Sequence, residues 1–154
     1  MRFGLALLLV FTMSSLVLAG NIAQQKITYQ IDPINEISIN GGSNALAISF
    51  DKDSQNSSGT ANWAISTNET NKRVVGILDA DLPPGVELYV ELEAPKASLS
   101  NGSVSLSTNP QDLVTGINRV AQDNLKIGYK LTAEIESSGT ELQRVLTLVL
   151  TDGF

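Results

Sequence analysis

The residue types that enzymes use most often for acid–base and nucleophilic chemistry are missing from this chain. Its 154 residues contain no histidine and no cysteine. Histidine is the usual general base because its pKa lies near neutral pH, and thiol nucleophiles, zinc–thiolate sites and iron–sulfur clusters need cysteine. The composition therefore excludes serine–histidine–aspartate and cysteine–histidine hydrolysis, and every metal mechanism with histidine ligands.

Pairs of carboxylates are the remaining groups that could act together. Asp79 with Asp81, and Glu91 with Glu93, stand two residues apart. Side chains spaced in this way lie on one face of a strand, about 7 Å apart, and paired carboxylates carry out glycoside hydrolysis. A glycosidase also needs a cleft with aromatic walls, and the chain has one tryptophan. We predict that the protein is not an enzyme and uses no cofactor.

Two short acidic motifs offer oxygen ligands of the kind that calcium prefers. Asp51-Lys52-Asp53 and Asp79-Ala80-Asp81 both fall in predicted loops. Neither follows the spacing of an EF-hand, and aspartate is common in turns because its side chain bonds to the nearby backbone. The turn interpretation is favoured, so we predict no metal site.

A single tyrosine offers a candidate binding face. Tyr89 is predicted to point outward among three glutamates, Glu87, Glu91 and Glu93. An exposed ring beside carboxylates resembles a sugar-binding platform, so Tyr89, Glu87 and Glu91 form a candidate ligand face. The alternative is a cross-strand aromatic contact on a solvated sheet, in which Lys126 and Lys130 pair with the acids.

The first 19 residues predict export. Arg2 precedes an apolar run from Phe3 to Met13, and small residues follow at Val17 and Ala19. This is the pattern of a secretory signal peptide. We therefore predict a signal peptide at 1–19, a single domain at 20–154, and a secreted protein that is extracellular, on the cell surface or in the periplasm.

The composition of the exported part limits its partners. Loss of Arg2 changes the formal charge from −6 to −7, and an acidic chain without a basic patch is a poor partner for nucleic acid. No second stretch approaches the roughly 20 apolar residues that cross a bilayer. We predict neither nucleic-acid binding nor a membrane span.

Apolar and polar residues alternate with a period of two through most of the exported part, as in strands with one buried face. Trp63 alternates in phase with Ala61 and Ile65, so it is a predicted core anchor. The pattern predicts an all-β, antiparallel immunoglobulin-like or jelly-roll β-sandwich of about nine or ten strands. Its predicted local features are strands at 27–31 and 46–50, a polar loop at 51–59, one helical turn within 109–117, and a terminal hairpin of 125–135 with 146–150.

The layout of three segments resembles that of known surface proteins. These segments are Ala61-Asn62-Trp63-Ala64-Ile65, the turn Pro83-Pro84-Gly85-Val86, and the rows around Tyr129-Lys130-Leu131 and Leu146-Thr147-Leu148. In layout the chain is similar to secreted bacterial β-sandwich surface proteins, of the WxL-like or pilin-like kind. The resemblance implies a role at the cell surface. It carries over no functional residue, because the second tryptophan motif of WxL domains is missing.

Two functions of different classes follow. The first is that of a structural or surface protein with a role in adhesion. Such a protein would be a filament or matrix subunit, and its partner would be a second copy of itself. Ile27, Tyr29 and Ile31 would then form an assembly strand donated to a neighbour, although the same residues could pair within their own sheet. The alternative is a binding module for an extracellular polysaccharide or cell-wall polymer, which would use the Tyr89 face.

Overall fold

A computed structural model describes residues 24–40, 56–134 and 143–154, without the side chains of Asn56 and Ser57. The backbone divides into two units, residues 1–31 and 32–154. Only residues 24–31 of the first unit are described, and they contain no strand. All regular structure in the described residues therefore belongs to the second unit.

The described part of the second unit contains nine strands and no helix. In chain order the strands are β1 (Asn35–Asn40), β2 (Asn56–Thr67), β3 (Lys72–Leu78), β4 (Val86–Leu92), β5 (Leu99–Ser100), β6 (Val104–Ser105), β7 (Gln111–Ile117), β8 (Val120–Ala133) and β9 (Leu146–Asp152). None of the described residues lies in a helix long and apolar enough to cross a membrane.

The strands form two sheets in which every pair is antiparallel. The five-stranded sheet has the order β1-β2-β8-β4-β6, and the four-stranded sheet has the order β5-β7-β3-β9. Apolar side chains from both sheets share one core. This arrangement fits a β-sandwich and confirms the predicted all-β class.

Alternation along the strands explains which side chains fill the core. Trp63 is 0% exposed, as predicted for a core anchor, and Val90 and Leu92 on β4 are fully buried while Glu91 between them is exposed. The remaining members of the buried core cluster are Ile65, Val74, Leu78, Leu106, Leu113, Val114, Ile117, Leu125 and Ile127. A central layer of this kind holds a chain that has no disulfide.

The predicted helical turn within residues 109–117 is wrong, because Gln111–Ile117 form β7. Its pairing with β3 shifts register twice, and Gly116 has a positive φ of 68°. Each shift inserts an extra residue into β7, so Leu113, Val114 and Ile117 all reach the core. A bulged strand can therefore imitate the spacing of a helix.

The predicted terminal hairpin is also wrong. β8 pairs with β2 and β4, whereas β9 crosses to the other sheet and pairs with β3. Alternation identifies each strand but does not choose its neighbour, since both sheets offer the same apolar inner face. The partner of a strand depends on the whole set of strands.

Two predictions for the N-terminal part of the chain also differ from the structure. Residues 27–31 were expected to form a strand, but residues 24–34 lie in no strand. β2 begins at Asn56, inside the predicted loop 51–59. The predicted row at 46–50, like the signal peptide, lies outside the described residues.

Ion pairs and hydrogen bonds of charged side chains connect the end of β9 to β3. The Lys72 Nζ atom lies 2.6 Å from Glu69 Oε2 and 2.5 Å from Asp152 Oδ1. Beside it, Arg73 Nη1 lies 2.8 Å from Asp112 Oδ1, and Arg73 Nε donates to the Asp152 carbonyl. Because Lys72 is almost buried, its two carboxylate partners compensate for the loss of water around the ammonium group.

This network predicts a pH window of stability. The hydrogen bond from Lys72 lowers the pKa of Glu69 below 4.5, so the stabilisation is present above that pH and is lost as the pH falls through the lowered pKa. Hydrogen bonds to Asp152 and Glu69 raise the pKa of Lys72 above 10.5, so its stabilisation is present below that pH and is lost as the pH rises through the raised pKa. We expect Lys72→Met to lower the melting temperature by a few degrees between these limits and by less outside them.

Thermal unfolding followed by circular dichroism across this pH range measures the effect. Lys96→Met, which removes the charge of an exposed lysine, is the control and should change the melting temperature little at any pH. A loss for Lys72→Met that stayed constant at every pH would show that the ion pairs do not contribute.

Candidate functional site

Residues 24–31, here called the leader segment, expose a row of large apolar side chains. Ile27 is 77% exposed, Tyr29 80% and Ile31 72%. These residues alternate with polar ones, so an extended conformation would place all three on one face. Soluble proteins seldom leave such a row in water unless another surface covers it.

Hydrogen bonds to the side chain of Asn68 hold the chain at the start of the second unit. The Ile34 amide donates to Asn68 Oδ1 over 2.8 Å, and Asn68 Nδ2 donates to the carbonyl of Asp32 over 2.9 Å. Asn68 belongs to the turn between β2 and β3, so this turn holds residues 32–34 before β1 begins. The anchored residues 32–34 therefore directly follow Ile31, the last residue of the leader segment.

The candidate ligand face lies on the outer side of the five-stranded sheet. Tyr89 is half-buried, and its hydroxyl donates to Glu87 Oε2 over 2.7 Å. In the neighbouring strand β8, Lys130 lies opposite Tyr89 and Gly128 lies opposite Glu91. The structure therefore brings Tyr89 and Glu87 into contact and places Glu91 beside a position without a side chain.

The other acids near this face have different partners from those expected. Glu93 Oε2 accepts a hydrogen bond from the backbone amide of Lys126 over 2.9 Å, so it closes the end of the strand pair instead of working with Glu91. The ion pairs found among residues 24–40, 56–134 and 143–154 involve Lys72 and Arg73. The expected pairing of Lys126 and Lys130 with the glutamates is not among them.

The aspartates of the other candidate pair brace loops. Asp79 Oδ1 accepts from the Val145 amide over 2.9 Å, and Asp81 Oδ1 accepts from the Thr108 hydroxyl over 2.9 Å. These bonds tie the β3–β4 connection to segments distant in sequence, and not to the nearby backbone that the turn interpretation invokes. In the described part of the chain no group of three metal-ligating side chains is close enough to hold an ion. The motif at 51–53 lies outside that part.

A shallow depression on the same sheet was not predicted from the sequence. It has a volume of about 780 Å³, and its lining includes the small residues Ser38, Ala64, Ser66 and Ala121. Glu36 and Asp123 also line it. The available signal was the set of small residues at outward positions of β1, β2 and β8, which alternation alone does not distinguish from an ordinary polar face.

The contact between Tyr89 and Glu87 predicts a measurable titration. Its hydrogen bond to the Glu87 carboxylate raises the pKa of Tyr89 above 10.0, because ionising the phenol would break that bond and place two negative charges together. We expect Glu87→Gln to lower the pKa of Tyr89 toward its ordinary value. Tyrosinate absorbance in a pH titration, with Tyr89→Phe to assign the signal, measures the shift. An unchanged titration would show that the contact does not persist in solution.

No protein-family model matches this chain, and no curated protein is significantly similar to it.

Proposed function

We propose that this chain is a secreted, non-enzymatic structural subunit that assembles with copies of itself into a filament or matrix at the cell surface. The observation that carries the proposal is the row of Ile27, Tyr29 and Ile31, exposed in the leader segment and outside every strand. Strand addition would bury this row, because a free sheet edge offers backbone partners and a sandwich offers an apolar interior. The predicted signal peptide at 1–19 and the predicted pilin-like layout also favour this role.

The finer fold belongs to the same proposal. Nine described strands in antiparallel sheets of five and four are compatible with an immunoglobulin-like or jelly-roll sandwich. Both are rigid domains with sheet edges at which strands can add. Either would serve as a repeating unit.

Removal of residues 20–31, which include the leader segment, tests the assembly. Residues 20–154 should form polymers in light scattering and negative-stain electron microscopy, whereas residues 32–154 should remain a folded monomer. An unfolded product would support the other interpretation, that residues 27–31 belong to their own sheet. Circular dichroism of the shorter chain distinguishes these outcomes.

A second candidate function is binding of an extracellular polysaccharide or cell-wall polymer. Tyr89 beside Glu87 and Glu91 on the outer sheet face supports it, since a ring can stack on a sugar and carboxylates can accept from hydroxyls. Tyr89→Ala should abolish retention on an insoluble glycan, while Tyr29→Ala, which removes an exposed ring elsewhere, should not. Equal retention of the two variants, or none by the parent protein, contradicts this function.

A further inference from the structure

Exposed apolar side chains are concentrated at one side of the sandwich. Apart from those of the leader segment, the large exposed ones among the described residues lie in or next to β1 and β9, with Leu99 on β5 as the exception: Ile34, Ile39, Val145, Val149 and Phe154. β1 and β9 are edge strands of different sheets, and they contact each other. This side of the sandwich therefore combines two sheet edges with incompletely covered apolar surface.

The hydrogen bonds of β9 show which of its backbone groups bond to β3 and which point away from it. Gly153 N donates to Asn71 O and Asp79 N donates to Val145 O, so odd-numbered residues of β9 bond to β3. The backbone groups of Leu146, Leu148 and Leu150 then point away from β3. Among the described residues, β3 is the only strand that pairs with β9.

The same three leucines match the leader segment. Their side chains pack against the core but are only half-buried. The leader segment carries three apolar residues at the same spacing of two, and its eight residues span about 26 Å when extended, close to the length of the seven-residue β9. An added strand in phase with β9 would place the two apolar rows side by side toward the core.

The other edges fit less well. β5 and β6 have two residues each, too short for such a strand. The core-facing row of β1 includes Asn35, whose side chain is already bonded to Thr67 and Glu69. The corresponding row of β9 is apolar from Leu146 to Leu150, and its polar member Asp152, which is bonded to Lys72, stands at the end of the strand.

We infer that the leader segment of one copy adds as a strand to the edge of β9 that faces away from β3 in a second copy, where Ile27, Tyr29 and Ile31 cover its half-buried leucines. This inference rests on the proposed function and specifies its docking surface. Matching of the apolar rows places Thr28 opposite Val149 if the added strand is antiparallel and opposite Thr147 if it is parallel. The backbones of Val149 and Thr147 bond to β3, so neither residue would bond to the added strand. At such positions the side chains of the two neighbouring strands approach closely enough for a disulfide.

Cysteine cross-linking tests the inference, since the natural chain contains no cysteine. Thr28→Cys is mixed under oxidising conditions with ¹⁵N-labelled Val149→Cys or Thr147→Cys, and mass spectrometry identifies mixed dimers. The matched control is Ser38→Cys, an exposed site on β1. The hydrogen bond from Asn68 N to Ile34 O continues into the β1–β2 register, so the even-numbered residues of β1 bond to β2. The backbone of Ser38 therefore also bonds within its own sheet, and a cysteine there has the same geometry at the edge of β1.

We expect about tenfold or more mixed disulfide with Val149→Cys or Thr147→Cys than with Ser38→Cys, because a bound strand holds the thiols at high effective concentration. Cross-linking to Ser38→Cys alone, or polymers without cross-links to β9, would overturn the inference and leave the proposed function standing. Absence of both cross-links and polymers would overturn both.

Discussion

Replacement of Ile27, Tyr29 and Ile31 together by serine is expected to give a folded monomer in place of the polymer that we propose. Burial of an isoleucine side chain contributes about 1.5–3 kcal/mol, so loss of the two isoleucines alone should weaken association by at least about a hundredfold. The domain should keep its melting temperature, because these side chains are exposed and fill no core position. Light scattering measures the association, and thermal unfolding measures the fold.

The matched control uses the polar positions of the same segment. Lys26→Ser with Thr28→Ser changes the opposite face of the extended strand and should leave assembly intact. If this variant lost assembly as completely as the triple variant, the apolar row would not be the part of the segment that matters.

Trp63→Ala is expected to have the largest effect on stability. Trp63 is 0% exposed at the centre of the core, and truncation of such a side chain leaves a cavity that costs about 3–5 kcal/mol. This is a large fraction of the stability of an ordinary domain, so the variant should be partly unfolded at physiological temperature. Urea unfolding measures the loss, and Leu99→Ala, at an exposed leucine, should change stability by less than about 0.5 kcal/mol.

Phenylalanine at the same position provides a sharper test. Trp63 Nε1 is buried without a hydrogen-bond partner among the described residues, and an unsatisfied donor of this kind costs about 1–3 kcal/mol. Trp63→Phe removes that donor while it keeps one aromatic ring, so its loss should be less than half of that for alanine. Because both variants lack the indole N–H, equal losses would show that the packing of a ring at this position does not contribute to stability.

Prediction from the sequence succeeded where alternation decides the structure. Trp63 as a core anchor and the buried face of β4 follow from period-two spacing, because a one-residue slip would expose the whole row. Alternation failed where the backbone departs from a regular strand. In β7, two inserted residues bring Leu113 and Val114 to the same side, and no local pattern distinguishes that arrangement from a helical turn.

The candidate surfaces show a similar division. Tyr89 lies on the outer face of β4, where alternation places it, but its contact with Glu87 and the engagement of Glu93 by the Lys126 backbone depend on side-chain geometry. The leader segment has the alternation of a strand but no strand partner in the described part of the chain. Sequence periodicity indicates that a row of apolar side chains needs an apolar surface to cover it. It does not indicate whether the same molecule or another supplies that surface.

Hydrogen–deuterium exchange of residues 24–31 in the monomer and in the polymer tests self-assembly through the leader segment. In a dilute monomeric sample these amides should exchange rapidly, because the segment lies in no strand. In the polymer they should be protected, with the amides of Leu146, Leu148 and Leu150 protected in parallel. Rapid exchange of residues 24–31 in both states, or a protein that stays monomeric at every concentration, would contradict assembly by this segment.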